Sequence, residues 1–296
     1  MKIFVITGTS GSGKSVAIRA LEDAGYDCVD NLPVHLLESL IQGVTPNNNP
    51  NLAVAIDGRQ GFSIQGLPTI ITKLKTQHEI SVLFLDASTE ALVHRFSETR
   101  RRHPLSSKTT EHSENSLIEA INLERELLID LGSIGHHIDT SNLSTSTLKD
   151  WVKDLTQSDT QGLTLLFESF GYKNGIPQDV DIMFDMRCIP NPYYDKSLRH
   201  LTGNDAPVLE YLRAQSLFGH LKTDVFKFIE TWVPKYQVDG RSYLTIGIGC
   251  TGGQHRSIAM VNELFDLCSH SSSAMFKNLT LLKRHRELHR ILSTKN

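Results

Sequence analysis

The chain has 296 residues, 39% of them hydrophobic, and a formal net charge of −3. That length fits two domains of ordinary size, and the charge excludes a globally basic nucleic-acid binder, so any nucleic-acid partner must be met by a local patch. The four cysteines, Cys28, Cys188, Cys250 and Cys268, stand far apart with no C-x-x-C, which argues against a disulfide framework or a zinc site and fits a reducing compartment.

The N-terminal MKIFVITG carries an apolar run too short for a signal peptide. No run approaches the ~20 residues of a spanning helix. A cytoplasmic protein without membrane contact is expected. IFVIT (3–7), bounded by glycine, predicts a buried strand, and residues 14–24 carry Val16, Ile18 and Leu21 at helical spacing up to Gly25. DCVD (27–30) predicts a short second strand, and PVHLLESLI (33–41) a helix after Pro33. LAVAID (52–57) and SVLFLD (81–86) are apolar runs that each end in Asp. EALVHRFSETRRRHPLSS (90–107) predicts a helix running into a basic stretch, and SLIEAINLERELLIDLG (116–132) an amphipathic helix closed by Gly132. HHID (136–139) and STLKDWVKDL (146–155) complete the first half as strand and helix. Apolar strands alternating with helices predict an α/β fold with a parallel sheet.

The polar TQSDTQG (156–162) marks the expected boundary between domains 1–156 and 157–296. Beyond it, LTLLFESF (163–170) and VDIMFDMR (180–187) predict strands, separated by the loop FGYKNGIP (170–177). Residues 208–233 predict helices, YLTIGIG (243–249) a strand and SIAMVNELFDLC (257–268) a helix. Both halves thus contain a strand, a glycine loop and a helix.

In the first loop, GTSGSGKS, residues Gly8, Gly13, Lys14 and Ser15 match G-x-x-x-x-G-K-[ST] between a predicted strand and a predicted helix. Glycines let the backbone wrap phosphate oxygens, and the helix N-terminus adds positive potential. Lys14 is expected to reach the β/γ-phosphates and Ser15 to ligate Mg²⁺. The motif does not choose ATP over GTP, nor hydrolase, kinase or sensor. Asp86, at the end of an apolar strand, is the expected carboxylate that holds Mg²⁺ through water and joins Lys14 and Ser15 as a catalytic residue, with Asp57 as the competing candidate and a capping role as the alternative for each. Arg100, Arg101, Arg102 and His103 form a candidate basic lid over transferred phosphate, or a solvated basic face. Asp30 and Asn31 are weaker candidates for an acceptor side.

The second loop, GCTGGQHRS (249–257), spaces Cys250 and Arg256 by five residues, as tyrosine-phosphatase-like loops do. Gly252 and Gly253 permit an anion-binding nest, Arg256 offers a bidentate fork, and Ser257 lies at the next helix start. A phosphatase would use Cys250 as the thiolate nucleophile with an acid such as Asp185 or Asp205. Gly249 stands where such loops usually have His, and the alternative for Cys250 is a small apolar strand end. Binding without cleavage is the favoured reading. From Lys277 to Asn296 the tail holds Lys277, Lys283, Arg284, Arg286, Arg290 and Lys295 against one acid, Glu287. Such a stretch would attract a nucleic-acid backbone, or form a solvated basic helix.

GTSGSGKSVAIRALEDAGYDCVDNLP, SETRRRHPLS, LERELL with IDTS, FESFGYKNGIP, FDMRCIPNPYY with LTGND, and GCTGGQHRS with RHREL occur in this order along nearly the whole chain. Together they resemble the RapZ/YvcJ family of bacterial nucleotide-binding proteins. The resemblance implies a P-loop kinase-like N-terminal domain with weak ATPase or GTPase activity, and a C-terminal domain similar to sugar-phosphate-binding α/β enzymes. It further implies binding of glucosamine-6-phosphate and of a small regulatory RNA presented to an endoribonuclease, in a homo-oligomer. On that resemblance, Gly8, Thr9, Ser10, Gly11, Ser12, Gly13, Lys14 and Ser15 would hold nucleotide phosphates, and Asp57, Gly58, Arg59 and Gln60 would form a second nucleotide segment. Thr251, Gly252, Gly253, His255 and Arg256, with Asp185, Arg187 and Tyr193, would hold the phosphosugar, and Lys283, Arg284 and Arg286 the RNA. The chain departs from the family pattern at Gly58, usually a branched residue, at Gln254, commonly Lys, and in its sparser basic tail. A small-molecule kinase, or a phosphatase using Cys250 and Arg256, remains the alternative.

Overall fold

The computed structural model describes residues 2–44, 51–57, 64–106, 114–132, 134–157, 162–277, 279–288 and 291. Gly58, Arg59 and Gln60 of the expected second nucleotide segment lie outside them, as do Arg290 and Lys295 of the tail. The chain divides into two compact units, Met1–Thr160 and Gln161–Asn296, where the sequence places the boundary at 156/157.

The first unit runs β1 (Lys2–Gly8), α1 (Lys14–Asp23), β2 (Asp27–Val29), α2 (Leu37–Gly43), β3 (Asn51–Ala55), α3 (Leu67–Leu74), β4 (Glu79–Asp86), α4 (Thr89–Thr99), α5 (Glu114–Gly132), β5 (His136–Asp139) and α6 (Thr145–Gln157). The five strands form a parallel sheet in the order β2-β3-β1-β4-β5. Its central strands are continuous apolar runs because a parallel sheet is covered on both faces; Ile3, Val5, Val54, Val82 and Leu128 are among the buried side chains of its core. Gly8 pairs with Leu85 and Asp86 with Asp139, so the carboxyl ends of β1, β4 and β5 lie level. Ligands of open α/β sheets bind at that edge.

Two helices differ from the sequence expectation. Helix α3 has no counterpart among the predicted elements: LPTIITKL is short and rich in β-branched residues, yet Leu67, Ile71 and Leu74 are buried at helical spacing. The helix predicted to run into the basic stretch stops at Thr99, since Arg100 takes the left-handed conformation (φ 50°) and ends α4. Ser88 caps its start, accepting from Ala91 N–H.

The second unit runs β6 (Thr164–Gly171), β7 (Ile182–Asp185), α7 (Ala206–Arg213), α8 (Ser216–Val238), β8 (Tyr243–Cys250), α9 (Arg256–His270), α10 (Ala274–Lys277) and β9 (Thr280–His285). Its four strands are again parallel, in the order β7-β8-β6-β9. Every residue of β6 is buried, and Phe167, Ile246, Ile229 and Met260 lie in the core around it. Gly171 pairs with Cys250 and Asp185 with Gly249, which brings the loops after β6, β7 and β8 to one edge. The tail differs from the expected solvated basic helix. Residues 280–285 form an edge strand beside β6 rather than a basic helix, because Thr280–Leu281–Leu282 continues the sheet ahead of the charges. Among the described residues no helix is long and apolar enough to cross a membrane.

Candidate functional site

The first loop leaves β1 at Gly8, whose φ of 133° and contact with Leu85 admit no side chain: a Cβ there would sit 1.9 Å from Leu85 O. Helix α1 begins immediately after Gly13. Ser10, Gly11, Ser12, Gly13, Lys14 and Ser15 line a cleft of about 650 Å³ with Asp30, Asn31, Asp57, Arg95, Arg101 and Arg102. Lys14 Nζ donates to Gly8 O (2.7 Å) and Thr9 O (3.0 Å) on its own loop. Those bonds hold the ammonium against the cradle that a phosphate would fill.

The two competing carboxylates sit differently. Asp86 Oδ1 accepts from the Thr9 hydroxyl (2.7 Å) and Ala87 N–H (2.8 Å), and Oδ2 from Arg125 Nε (3.3 Å). Asp86 is thus engaged as a brace of the loop and does not line the cleft, whereas Asp57 does. The physical reason is Arg125: its guanidinium also donates to Thr89 Oγ1 and Ala87 O, fastening the β4 end to α5. Ser15 and Asp57 both line the cleft and carry the hard oxygen donors that a Mg²⁺ ion takes.

Arg95 is a cleft residue that sequence reasoning missed. From α4 it donates to Gly11 O (3.0 Å) and to the Thr140 hydroxyl (3.1 Å), which itself lies 2.8 Å from Ser12 O. The only signal was its position in a helix ahead of the arginine run. Thr140 belongs to IDTS, a stretch noted in the sequence without a role. Of the basic lid, Arg101 and Arg102 face the cleft, while His103 is buried. Asn31, which also lines the cleft, has a φ of 54°, a left-handed conformation that Asn adopts more readily than most residues.

The second loop joins β8 to α9. Gly253 has a φ of 70°, and a Cβ there would meet Glu287 Cγ at 2.4 Å. Cys250 ends β8 buried; its Sγ accepts from Gly253 N–H (3.2 Å) and lies 3.2 Å from Ser257 Oγ. Arg256 is 4% exposed. Its Nη1 donates to Ile189 O (2.7 Å), its Nη2 to Thr251 Oγ1 (3.1 Å), and its Nε has no partner. A buried guanidinium with one donor left over is suited to an anion.

Asp185 and Arg187 form a bidentate pair, Nε to Oδ1 at 3.0 Å and Nη2 to Oδ2 at 2.6 Å. Those bonds from Arg187 hold the Asp185 carboxyl below the usual range, against a smaller opposing effect of burial. The Arg187 guanidinium lies over the Tyr172 ring (3.9 Å). Lys173, also missed, donates its N–H to Thr251 O (3.2 Å), and its Nζ stands 3.8 Å from where a Cβ on Gly252 would be. The loop therefore has three cations, Lys173, Arg187 and Arg256, beside two carboxylates, Asp185, which is paired with Arg187, and Glu287, which packs at Gly253.

Other expected members are placed further out. His255 is buried with Nε2 3.2 Å from Leu198 O, and burial pushes its basicity down. Tyr193 is half exposed, its ring under Arg199 (4.7 Å). Gln254 clamps that segment, donating from Nε2 to Arg199 O (3.0 Å) and Leu201 O (2.6 Å). Asp205 accepts from Thr202 N–H and hydroxyl at the start of α7.

The three RNA candidates are not a common surface. Lys283 is exposed and donates to Asn262 Oδ1 (2.9 Å). Arg284 is 3% exposed, and Arg286 reaches inward to Glu168 Oε1 (3.2 Å) and Asp179 Oδ1 (3.5 Å). The alternation of β9 turns successive side chains to opposite faces, so a run of basic residues cannot all face solvent. Glu168, beneath them, is fully buried; burial and the neighbouring Asp179 outweigh the two arginines and push its carboxyl up to about 8.

Residues 1–160 match the family described as RapZ-like N-terminal domain, and residues 163–289 the RapZ C-terminal domain. A nucleotide-binding protein of Polynucleobacter asymbioticus is 53% identical over 100% of both chains. One of Cupriavidus taiwanensis is 48% identical over 97% of this chain and 99% of its own. Among solved structures, shikimate kinase of Bacteroides thetaiotaomicron is similar at 11% identity and a TM-score of 0.37, covering 53% of this chain and 98% of its own.

Proposed function

The chain belongs to the RapZ family, and from that premise we propose that it is a regulatory nucleotide-binding protein with a second, phosphosugar-binding site. The N-terminal unit takes ATP or GTP with Mg²⁺ in the first loop. The observation that supports this is the assembly of Lys14, Ser15, Asp57, Arg95, Arg101 and Arg102 around one cleft at the carboxyl edge of the sheet. Phosphates replace Gly8 O and Thr9 O as partners of Lys14, while Ser15 and Asp57 hold the metal. Turnover is slow and serves to reset a bound state. Nucleotide titration of the wild type against Lys14→Ala tests it: binding that survives the substitution would remove the assignment.

The second loop holds a phosphomonoester of the glucosamine-6-phosphate class. Arg256, Lys173 and Arg187 supply the charge, and the Gly252 and Gly253 backbone the close approach. The phosphatase reading has less behind it. Its acid would have to donate a proton to the leaving oxygen, yet Asp185 is held ionised by Arg187 and Asp205 is spent on Thr202. Cys250 then acts as a buried acceptor that shapes the loop. Ligands at the two loops are linked to the extent that each prefers one conformer. Association with a small regulatory RNA, for delivery to an endoribonuclease in the cytoplasm by a homo-oligomer, completes the reading. Among the three basic candidates that role falls to Lys283, with Arg284 and Arg286 shaping the sheet beneath.

A further inference from the structure

Two sequence stretches that the binding account leaves idle, LERELL and the histidine of RRRHPLS, meet at the first loop. Glu124 on α5 is fully buried. Its Oε2 accepts from Ser10 N–H (2.7 Å) and its Oε1 from the Ser10 hydroxyl (2.8 Å). The same Oε2 lies 3.1 Å from Nε2 of His103, which is 3% exposed. The tautomer follows from the neighbours: Leu105 N–H donates to His103 Nδ1 (3.2 Å), so the ring proton sits on Nε2 and points at Glu124. A neutral imidazole therefore donates to a carboxylate. Burial works to raise the Glu124 carboxyl, but the bond from His103, the nearby Lys14 charge and the two bonds from Ser10 outweigh it.

His103 also roots the arginine segment. Its carbonyl accepts from Ser106 N–H (3.0 Å) and the Ser106 hydroxyl (2.7 Å), and its ring packs on Phe96 at 5.3 Å. The two residues just before it, Arg101 and Arg102, line the phosphate cleft. One buried carboxylate thus holds both the loop that receives phosphates and the base of the arginines that face them.

We propose that Glu124 and His103 are positioning residues that set Arg101 and Arg102 against the terminal phosphate of a nucleotide in the first loop. The proposal rests on the nucleotide reading given above. Arginines aimed at the transferred phosphoryl group act on charge that grows in the transition state. Loss of the His103 N–H therefore lowers hydrolysis and spares a nucleoside diphosphate, which lacks that phosphate. A purely structural pair would weaken diphosphate and triphosphate binding alike.

The test uses the full-length chain, with magnesium-dependent hydrolysis of ATP and GTP and calorimetric binding of ADP and GDP. His103→Leu is expected to lower kcat about tenfold and to leave diphosphate affinity within about twofold. His103→Gln, whose amide N–H reaches the place of Nε2–H, restores most of the rate. Adding His103→Leu to an Arg101→Ala/Arg102→Ala protein lowers kcat no further, because both changes remove one effect. Wild-type kcat in His103→Leu, a parallel fall in diphosphate affinity, or multiplying effects with the arginine pair would overturn the proposal. If His103→Leu does not fold, Glu124→Gln replaces it, with the same expected pattern and the same contradicting results. Diphosphate binding by the wild type that is indifferent to Lys14→Ala would instead remove the nucleotide assignment itself, a result the His103 variants do not mimic.

Discussion

The Thr9 hydroxyl donates to Asp86 at 2.7 Å, tying the first phosphate loop to the end of the neighbouring strand. That contact separates two carboxylates that look alike in sequence. Asp86 braces the loop from behind, and Asp57 faces the cleft. Asp86→Ala is expected to cost about 2 kcal/mol in urea unfolding, through the unpaired Thr9 and Arg125 groups. Asp57→Ala is expected to lose the magnesium dependence of nucleotide binding, which Asp86→Ala keeps. Magnesium dependence kept in Asp57→Ala and lost in Asp86→Ala would contradict the assignment.

Lys14→Ala removes the only loop cation that now rests on Gly8 O and Thr9 O. Nucleotide affinity should fall at least a hundredfold, or about 3 kcal/mol, by calorimetry. Glucosamine-6-phosphate binding to the same protein should be unchanged. Loss of both would mean that one site serves both ligands.

Arg256→Lys keeps a charge and loses the fork. Its guanidinium bridges Ile189 O and Thr251 with one donor to spare, a geometry an ammonium cannot copy. Phosphosugar affinity should drop about tenfold. Full affinity in the lysine variant would show that only charge is read at this loop.

The buried Glu168 and the half-buried His285 give the second unit an unusual pH response. Glu168 is raised from 4.5 to about 8, chiefly by burial, so the folded state holds its proton where the unfolded chain has lost it. Stability from this group is complete below pH 4.5 and declines toward pH 8. His285 is lowered from 6.5 to about 4, again chiefly by burial, so its contribution is complete above 6.5 and is lost as pH falls toward 4. Between about 4.5 and 6.5 the two slopes oppose; above 6.5 Glu168 acts alone. Urea unfolding should show a loss of about 2 kcal/mol from pH 6.5 to 8. Glu168→Gln, which mimics the protonated form, should flatten that limb, and an unaltered limb would mean that another group titrates.

Much of this architecture was legible in the chain. Apolar runs such as IFVIT and LFLD, bounded by glycine or Asp, read as buried strands, and a loop that follows a parallel strand lies at the carboxyl edge of its own sheet, so the place of each glycine loop in its unit was legible in the pattern. Helix α3 was not legible, because eight residues with adjacent β-branched side chains show helical spacing only once Leu67, Ile71 and Leu74 have a core to face. Strand β9 was hidden by composition: its charges read as a surface tail until β6 supplies a partner. Arg95, Lys173 and Glu124 act on loops far away in sequence, and no local period marks a side chain whose partner is supplied by folding. Asp86 and Asp57 could not be separated for the same reason, since Arg125 decides between them.

The central claim is that the second loop binds a phosphomonoester and leaves it whole. The ³¹P NMR spectrum of glucosamine-6-phosphate mixed with the full-length chain tests this most directly. The account predicts a broadened or shifted phosphomonoester signal, restored to its free form by Arg256→Ala, with no inorganic phosphate. A growing inorganic phosphate peak that disappears in Cys250→Ser would contradict it and make the loop catalytic, and an unperturbed spectrum would remove the ligand from this site.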